Sequence, residues 1–208
     1  MKLILSTHNE HKRREFERLL PQGDGAHAVE GGLSWTLETL PDTVVLPPED
    51  GETFAENALG KARAAASATG QQSIADDSGI AAAALGGAPG VRSARYAGEH
   101  ATDGQNLEKL LREAPAGSEL EYVCAIAYVD PQGEVEQLFE GRCKGRVAAS
   151  PRGERGFGYD PAFLPDDGPG GKTMAELSDQ QKDLISHRGH AARALFAWLA
   201  ARELGEGA

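Results

Sequence analysis

Two adjacent aspartates that follow an apolar segment are the residues of this chain best suited to chemistry. Residues 73–75 predict a short buried strand, which leads directly into Asp76, Asp77, Ser78 and Gly79. Neighbouring strand residues point to opposite faces, so one aspartate can bind a metal ion while the other supports it. Acids at the carboxyl end of a strand also lie where open α/β sheets bind ligands. The same residues suit an Asx-turn, and alone they favour neither interpretation.

Positive charge for an anionic ligand can come from the first predicted helix. Residues 2–6 predict a strand and residues 10–20 a helix, joined by a polar turn at 7–9. Such a junction points helix N–H groups at one spot, where phosphate binds well, and Lys12 lies in the first turns. Because strand-to-helix turns with a nearby lysine are common, this feature alone favours an ordinary connection.

A second predicted helix, over residues 53–69, places Asn57 and Lys61 four residues apart and therefore on one edge. An acidic loop at 47–51 precedes it. The carboxylates of that loop are either mobile or bind a ligand. A single lysine on a helix is usually in solvent. Lys61 gains interest only because the two aspartates follow in the chain.

Residues 153–163 predict a loop that carries aromatic side chains among glycines. Stacking of Phe157 on a base would contribute about 1–3 kcal/mol without distinguishing one base from another. Asp160 can accept a hydrogen bond from a purine N–H. A core phenylalanine and a helix-capping aspartate are the commoner explanation for such a segment when it stands alone.

Near the carboxyl end, residues 186–189 predict a polar corner between a helix at 174–184 and a last helix at 191–203. His187 and Arg188 in this corner can donate to carbonyl or phosphate oxygens, and Lys182 precedes them by about one helical turn. The alternative is a solvated loop without a role.

The remaining predicted elements are a framework that must position these side chains. They are a strand or short helix near 33–40, a shaped glycine-rich loop at 86–98, a helix at 103–114 capped by Thr102, and a hairpin of strands at 119–130 and 134–148.

Composition narrows the classes of function. The 208 residues, 40% of them hydrophobic, suit a single sizeable core, and the net charge of −11 argues against nucleic-acid binding. An acidic protein that binds a small anion needs a metal ion and local cations. Two cysteines suggest no disulfide framework, and the apolar run at 1–5 is too short for export or membrane anchoring. We therefore expect a cytoplasmic protein without a membrane partner.

Together, the order and spacing of these segments resemble the inosine triphosphate pyrophosphatase family, also called the XTP/dITP diphosphatases, over nearly the whole chain. No single marker is specific, but six in order are. They are Ser6 to Lys12, Glu56-Asn57-Ala58 with Lys61-Ala62, Ala75 to Gly79, the segment 86–98, Phe157 to Pro161, and Ser186-His187-Arg188.

The resemblance implies an α/β fold with a mixed, elongated central β-sheet flanked by helices. It implies one domain over 1–208, built as two lobes with the active-site cleft between them, and a homodimer. The implied reaction is Mg²⁺-dependent hydrolysis of ITP, dITP and XTP to the monophosphate and pyrophosphate, which keeps deaminated purines out of DNA and RNA.

The resemblance also implies roles for individual residues. Asp77 would bind Mg²⁺ and accept the proton of the attacking water, Lys61 would act as a catalytic cation, and Glu49, or else Glu52 or Glu56, would be a second metal ligand. His8 departs from the glycine of many relatives, which leaves its role open. The implied substrate-binding residues fall into two groups. Those that would hold the triphosphate are Thr7, His8, Asn9, Glu10, His11 and Lys12, and Ser78 would also contact the substrate. Those that would form the base pocket are Phe157, which would stack on the base, and Gly158, Tyr159, Asp160, Lys182, His187 and Arg188.

Two alternatives remain at this point. A related pyrophosphatase could use the same scaffold on pyrimidine or modified nucleotides. A nucleotide sensor that has lost turnover is disfavoured because Lys12, Lys61 and Asp77 are all present.

Overall fold

The computed structural model describes residues 2–21, 35–132 and 134–205, in which strands and α-helices alternate up to the fourth strand and are followed by two strands and two helices. The strands of these ranges are β1 (Lys2–Leu5), β2 (Thr36–Thr39), β3 (Ser73–Ala82), β4 (Glu119–Val129), β5 (Glu136–Val147) and β6 (Phe163–Pro165). The α-helices are α1 (Glu10–Leu19), α2 (Phe54–Thr69), α3 (Asp103–Glu113), α4 (Asp179–Ile185) and α5 (His187–Glu203). Short 3₁₀ helices cover Ala83–Leu85, Gly90–Arg95, Asp160–Ala162 and Met174–Glu176.

The described strands form one sheet in the order β2-β1-β3-β4-β5-β6. β1 pairs in parallel with both β2 and β3, and α2 lies between β2 and β3 in the chain, as a parallel connection requires. β5 and β6 pair antiparallel. The predicted mixed α/β sheet with flanking helices is therefore confirmed. No helix in the described part of the chain is long and apolar enough to cross a bilayer.

Two compact units divide the chain, and each has a core of its own. The first unit comprises 1–77, 125–140 and 190–208, and the second comprises 78–124 and 141–189. In the first unit α2 packs on β3 and β4 through small side chains, which allow a close approach: Ala58, Ala62, Ala66, Ala75, Ala125 and Ala127. The core of the second unit is built from larger residues, including Ile80, Leu110, Tyr122, Phe163 and Met174.

Two sequence-based boundaries next to the candidate residues are wrong. β3 does not stop before the aspartates but continues to Ala82, so Asp76 and Asp77 lie within a strand and the Asx-turn is excluded. The predicted corner at 186–189 is the start of α5, and only Ser186 separates α4 from it. The Ser186 hydroxyl accepts from Gly189 N at 3.0 Å, which explains how one polar residue begins the new helix. The loop at 86–98 contains a 3₁₀ helix.

Candidate active site

Lys61 is the centre of a cluster of charged side chains in the first unit. The alanine face of α2 is packed against the core, which leaves Lys61 only 5% exposed. Its Nζ donates to the backbone oxygen of Asp76 at 2.7 Å and forms an ion pair with Glu49. The helix is also tied down here, since Ser6 Oγ donates to the Lys61 carbonyl at 3.1 Å.

The two aspartates of β3 have different partners. Lys12 reaches across from α1 and places its Nζ 3.2 Å from Asp76 Oδ2. Asp77 Oδ2 instead accepts from Asn57 Nδ2 at 2.8 Å. Because Asp76 is fully buried and holds both lysines, its observed contacts are those of a residue that positions cations.

Charge is not balanced among these residues, which we call the acidic cluster: Lys12, Glu49, Lys61, Asp76 and Asp77. Burial raises the pKa of Asp77, and neighbouring Glu49 adds to this effect, against the attraction of Lys61 and Lys12. Burial also acts to raise the pKa of Glu49, but the Lys61 charge and hydrogen bond outweigh it and lower that pKa. Three carboxylates thus face two ammonium groups.

The polar turn before α1 uses most of its hydrogen-bonding groups internally. Asn9 Oδ1 accepts from His11 N at 2.9 Å and from Lys12 N at 3.1 Å, while Thr7 Oγ1 accepts from Asn9 N. Arg13, mainly through its hydrogen bond, and Arg14 of the same helix lower the pKa of Glu10 to about 2. Of the six residues expected to hold the triphosphate, Lys12 belongs to the acidic cluster through its contact with Asp76, and His8 and His11 are exposed.

A second cluster lies in the second unit around the buried carboxylate of Asp160. This group accepts from Lys182 Nζ at 2.6 Å, from Tyr122 Oη at 3.1 Å and from Phe157 N at 3.0 Å. The Asp160 residue is only 2% exposed. Three acceptor sites of the carboxylate are therefore used within the protein, and the role of Asp160 as an acceptor for a purine N–H stays a prediction.

Phe157 and Arg188 come together beside Ser78. The Arg188 guanidinium donates to Ser78 Oγ at 2.7 Å, and its Cζ lies 5.9 Å from the centroid of the half-buried Phe157 ring. Lys182 Nζ lies 5.1 Å from the same centroid. One aromatic ring is therefore flanked by two cations, and Arg188 itself is 1% exposed.

His187 and Tyr159 have different surroundings, although both were expected to complete a base pocket. His187 stacks on Tyr122 with centroids 4.5 Å apart and planes 7° apart. Tyr159 belongs to the core of the second unit, and its hydroxyl donates to Ser93 O at 2.7 Å. Gly158 N is bonded to Asp103. The observed contacts of Tyr159 are those of a framework residue.

Sequence reasoning missed Tyr122 in the second cluster and left Asn57, which contacts the acidic cluster, without a role. Tyr122 was assigned to a framework strand, yet it contacts both Asp160 and His187. The usable signal was a tyrosine in a predicted buried strand, since a buried hydroxyl needs a partner. Asn57 was noted only for its spacing from Lys61, although it is the amide that holds Asp77.

The acidic cluster fits a divalent cation that is shared with a phosphate ligand. Among the described residues, no three His, Cys, Asp or Glu side chains are arranged to hold a metal by themselves. Mg²⁺ usually binds one or two carboxylates and completes its coordination with waters and substrate phosphates. Glu49 is close enough to Asp77 to raise its pKa, whereas Glu56 is used in the capping box of α2.

Comparison with known proteins confirms the family expected from the motifs. The Ham1 family model matches residues 3–198. The dITP/XTP pyrophosphatase of Bacillus subtilis (strain 168) is 44% identical over 205 residues, covering 95% of this chain and 96% of that protein. Its counterpart from Mycolicibacterium paratuberculosis is 45% identical, with 93% of each chain covered. A HAM1 protein from Coxiella burnetii has a solved structure that matches with a TM-score of 0.81 at 35% identity, covering 96% of this chain and 98% of the other. In sequence and in fold, this chain belongs to the Ham1 family.

Proposed function

We propose that this chain hydrolyses non-canonical purine nucleoside triphosphates, namely dITP, XTP and ITP, to the monophosphate and pyrophosphate. The observation that carries the proposal is the acidic cluster, because it combines lysines and carboxylates in a chain that aligns nearly end to end with dITP/XTP pyrophosphatases. Cleavage within a triphosphate needs neutralised phosphate charge and an oriented water more than it needs covalent help.

Lys12 and Lys61 supply the positive charge for the phosphates in this proposal. Their Nζ atoms are already directed by Asp76, so little reorganisation is needed when an anion binds. Asp77 accepts the proton of the attacking water. Its raised pKa suits this role, because a general base works best when its pKa is closer to the operating pH.

Magnesium dependence is part of the proposal. Asp77 and Glu49 would hold the ion, and the excess negative charge of the acidic cluster supports a cation there. When bound, Mg²⁺ neutralises phosphate oxygens and orients the reacting groups. Asn57 keeps the Asp77 carboxylate in place through its 2.8 Å hydrogen bond.

Base selection is assigned to the second unit. Phe157 stacks on the purine, and Arg188, His187 and Lys182 offer donors to an oxygen at C6. Adenine carries an amino group there and would place donor against donor. Guanine differs from hypoxanthine only by its 2-amino group, and leaving that group unpaired costs roughly 1–3 kcal/mol, or about 10- to 100-fold.

The contacts of Asp160 support a positioning role in the same proposal. Its carboxylate holds Lys182 and the backbone of Phe157, so it fixes the donors and the ring. We further propose that the chain acts as a cytoplasmic homodimer that keeps deaminated purines out of nucleic acids.

Product analysis with and without a chelator tests this function. Incubation of the purified chain with dITP and Mg²⁺ should yield dIMP and pyrophosphate in equal amounts, and excess EDTA should abolish both. Release of orthophosphate with dIDP would exclude a pyrophosphatase reaction. Full activity in EDTA would exclude the metal mechanism.

A further inference from the structure

The glycine-rich segment, residues 86–98, has no part in the function proposed above, but its contacts are extensive. Ser93 is at its centre and is 6% exposed. The Ser93 hydroxyl accepts from Ile80 N in β3 at 2.9 Å and donates to Gly90 O at 2.6 Å. A Cβ added at Gly79 would lie 2.4 Å from Ser93 Oγ, so β3 and this segment approach each other closely.

The segment is also fixed to α3 by side chains of that helix. Asn106 is 2% exposed and bonds twice, with Oδ1 accepting from Ala97 N at 2.8 Å and Nδ2 donating to Ala94 O at 3.0 Å. Lys109 Nζ donates to Tyr96 O at 2.9 Å. Since buried amides with both groups bonded hold backbone firmly, α3 and the glycine-rich segment act as one support.

Two hydrogen bonds connect this support to residues 156–160, which we call the aromatic loop. Gly158 N donates to Asp103 Oδ2, at the first position of α3, at 2.9 Å. The Tyr159 hydroxyl donates to Ser93 O at 2.7 Å. Both bonds join residues more than fifty positions apart in the chain.

The aromatic loop is held only in part by its own bonds, such as that from Asp160 N to Phe157 O at 3.3 Å. Gly156 and Gly158 have φ of 73° and 61°, the left-handed region that glycine adopts readily, and Phe157 lies between them. The amide of Phe157 is bonded within the loop to the Asp160 carboxylate, whereas the amide of Gly158 is bonded to Asp103 of α3. The position of the Phe157 ring therefore depends in part on bonds from outside the loop, through Gly158 and Tyr159.

We propose that Asp103 and Ser93 are positioning residues for base recognition, and that the glycine-rich segment acts by holding the aromatic loop in place. Asp103 acts through the Gly158 amide, and Ser93 through the Tyr159 hydroxyl. This inference rests on the proposed function, because it requires Phe157 to meet the purine. It predicts that loosening these anchors weakens nucleotide binding without slowing the chemical step.

Substitutions at Asp103 test the inference with a matched pair. Asp103→Ala removes the acceptor, whereas Asp103→Asn keeps an acceptor oxygen and loses only the charge. Hydrogen exchange of the amides at 156–160 should be faster in Asp103→Ala, and KM for dITP should rise about three- to tenfold with kcat nearly unchanged. Asp103→Asn should restore both values most of the way to wild type.

Two further variants separate this role from general effects on the helix or the fold. Glu108→Ala removes an exposed acid from the same helix and should leave exchange and KM unchanged. Tyr159→Phe removes the bond to Ser93 and should raise KM in the same way as Asp103→Ala, with thermal unfolding measured alongside.

Several results would overturn the inference. These are unchanged exchange in Asp103→Ala, equal defects in Asp103→Ala and Asp103→Asn, or a loss confined to kcat. Faster exchange with an unchanged KM would also overturn it, because the loop would then be anchored without serving recognition. A wild-type chain that turns over neither dITP nor XTP would overturn the proposed function itself, and the exchange data would still show whether Asp103 holds the loop.

Discussion

The acidic cluster of the first unit and the Asp160 cluster of the second unit both bury ionisable side chains, but they differ in the ratio of carboxyl to amino groups. Asp160 pairs with Lys182 and fills its remaining capacity with Tyr122 and the loop backbone. In the first unit, three carboxylates face two lysines, and burial raises the pKa of Asp77. A balanced cluster is complete before ligand arrives, whereas an unbalanced one is stabilised by an added cation. In the proposed function, the acidic cluster takes up the metal ion and the phosphates, and the Asp160 cluster supports recognition of the base.

The largest effect is expected from Asp77→Asn, which tests the first half of this comparison. The amide can still accept from Asn57 but cannot take a proton and binds Mg²⁺ weakly. Loss of a general base alone costs about 10²–10⁴ in rate, and all triphosphates should lose activity by a similar factor. Nucleotide titration should show that binding is largely retained.

The exposed Asp166 offers a matched control, since Asp166→Asn makes the same chemical change away from the acidic cluster. It should turn over dITP as the wild type does. If Asp77→Asn also keeps wild-type turnover, the assignment of the proton acceptor is wrong.

A smaller and more selective effect is expected from Arg188→Ala, which tests the second half. Hydrogen bonds to charged groups contribute about 1.5–3 kcal/mol, so kcat/KM for dITP should fall by roughly 10- to 100-fold. The residual rate on dATP should change little, because adenine offers no C6 oxygen. Arg188→Lys keeps the charge but not the planar set of donors, so its kcat/KM for dITP should lie between those of the wild type and Arg188→Ala.

Steady-state kinetics on dITP and dATP show whether Arg188 recognises the base. Equal losses on dITP and dATP would mean that Arg188 serves the phosphates or the fold through its contact with Ser78. Base recognition would then have to be assigned to other residues.

The smallest expected effect concerns stability and pH in metal-free protein. Because the folded-state pKa of Asp77 is raised, the folded chain binds this proton more tightly than the unfolded chain. The tighter proton binding therefore adds to the free energy of unfolding below pH 3.8, the ordinary pKa of an aspartate. This contribution is lost as the pH rises through the pKa that Asp77 has in the folded chain. Asp77→Asn should therefore raise the unfolding temperature at neutral pH in EDTA, and the difference should vanish on acidification. If the wild type were more stable than the variant at neutral pH, the acidic cluster would not have the excess of negative charge inferred here.

The two clusters also differ in how far sequence alone could predict them. Helix spacing placed Asn57 and Lys61 on one edge, and strand alternation gave the two aspartates different faces. The family resemblance, not the local pattern, brought Lys12, Lys61 and Asp77 to one site. The end of β3 was misjudged because Asp-Asp-Ser-Gly suits a turn locally, while tertiary pairing extends the strand to Ala82. Family motifs indicated which segments to examine, but not which partners each side chain has.

The second cluster depends on contacts between distant segments, which local patterns do not encode. Tyr122 and Asp160 are 38 residues apart, and Arg188 and Ser78 are 110 apart. The start of α5 at His187 was missed because Ser-His-Arg-Gly contains a glycine and a capping residue, which are typical of a helix end. In the structure that capping residue, Ser186, begins a helix.

Selectivity among purines is the measurement that tests the central claim most directly. Pyrophosphate release should be followed at equal, subsaturating concentrations of dITP, XTP, dGTP and dATP with Mg²⁺. We expect kcat/KM for dITP and XTP to exceed that for dGTP by about 10- to 100-fold, with dATP at least as poor a substrate as dGTP. Equal or faster release from dGTP or dATP would contradict the assignment of this chain to non-canonical purine triphosphates.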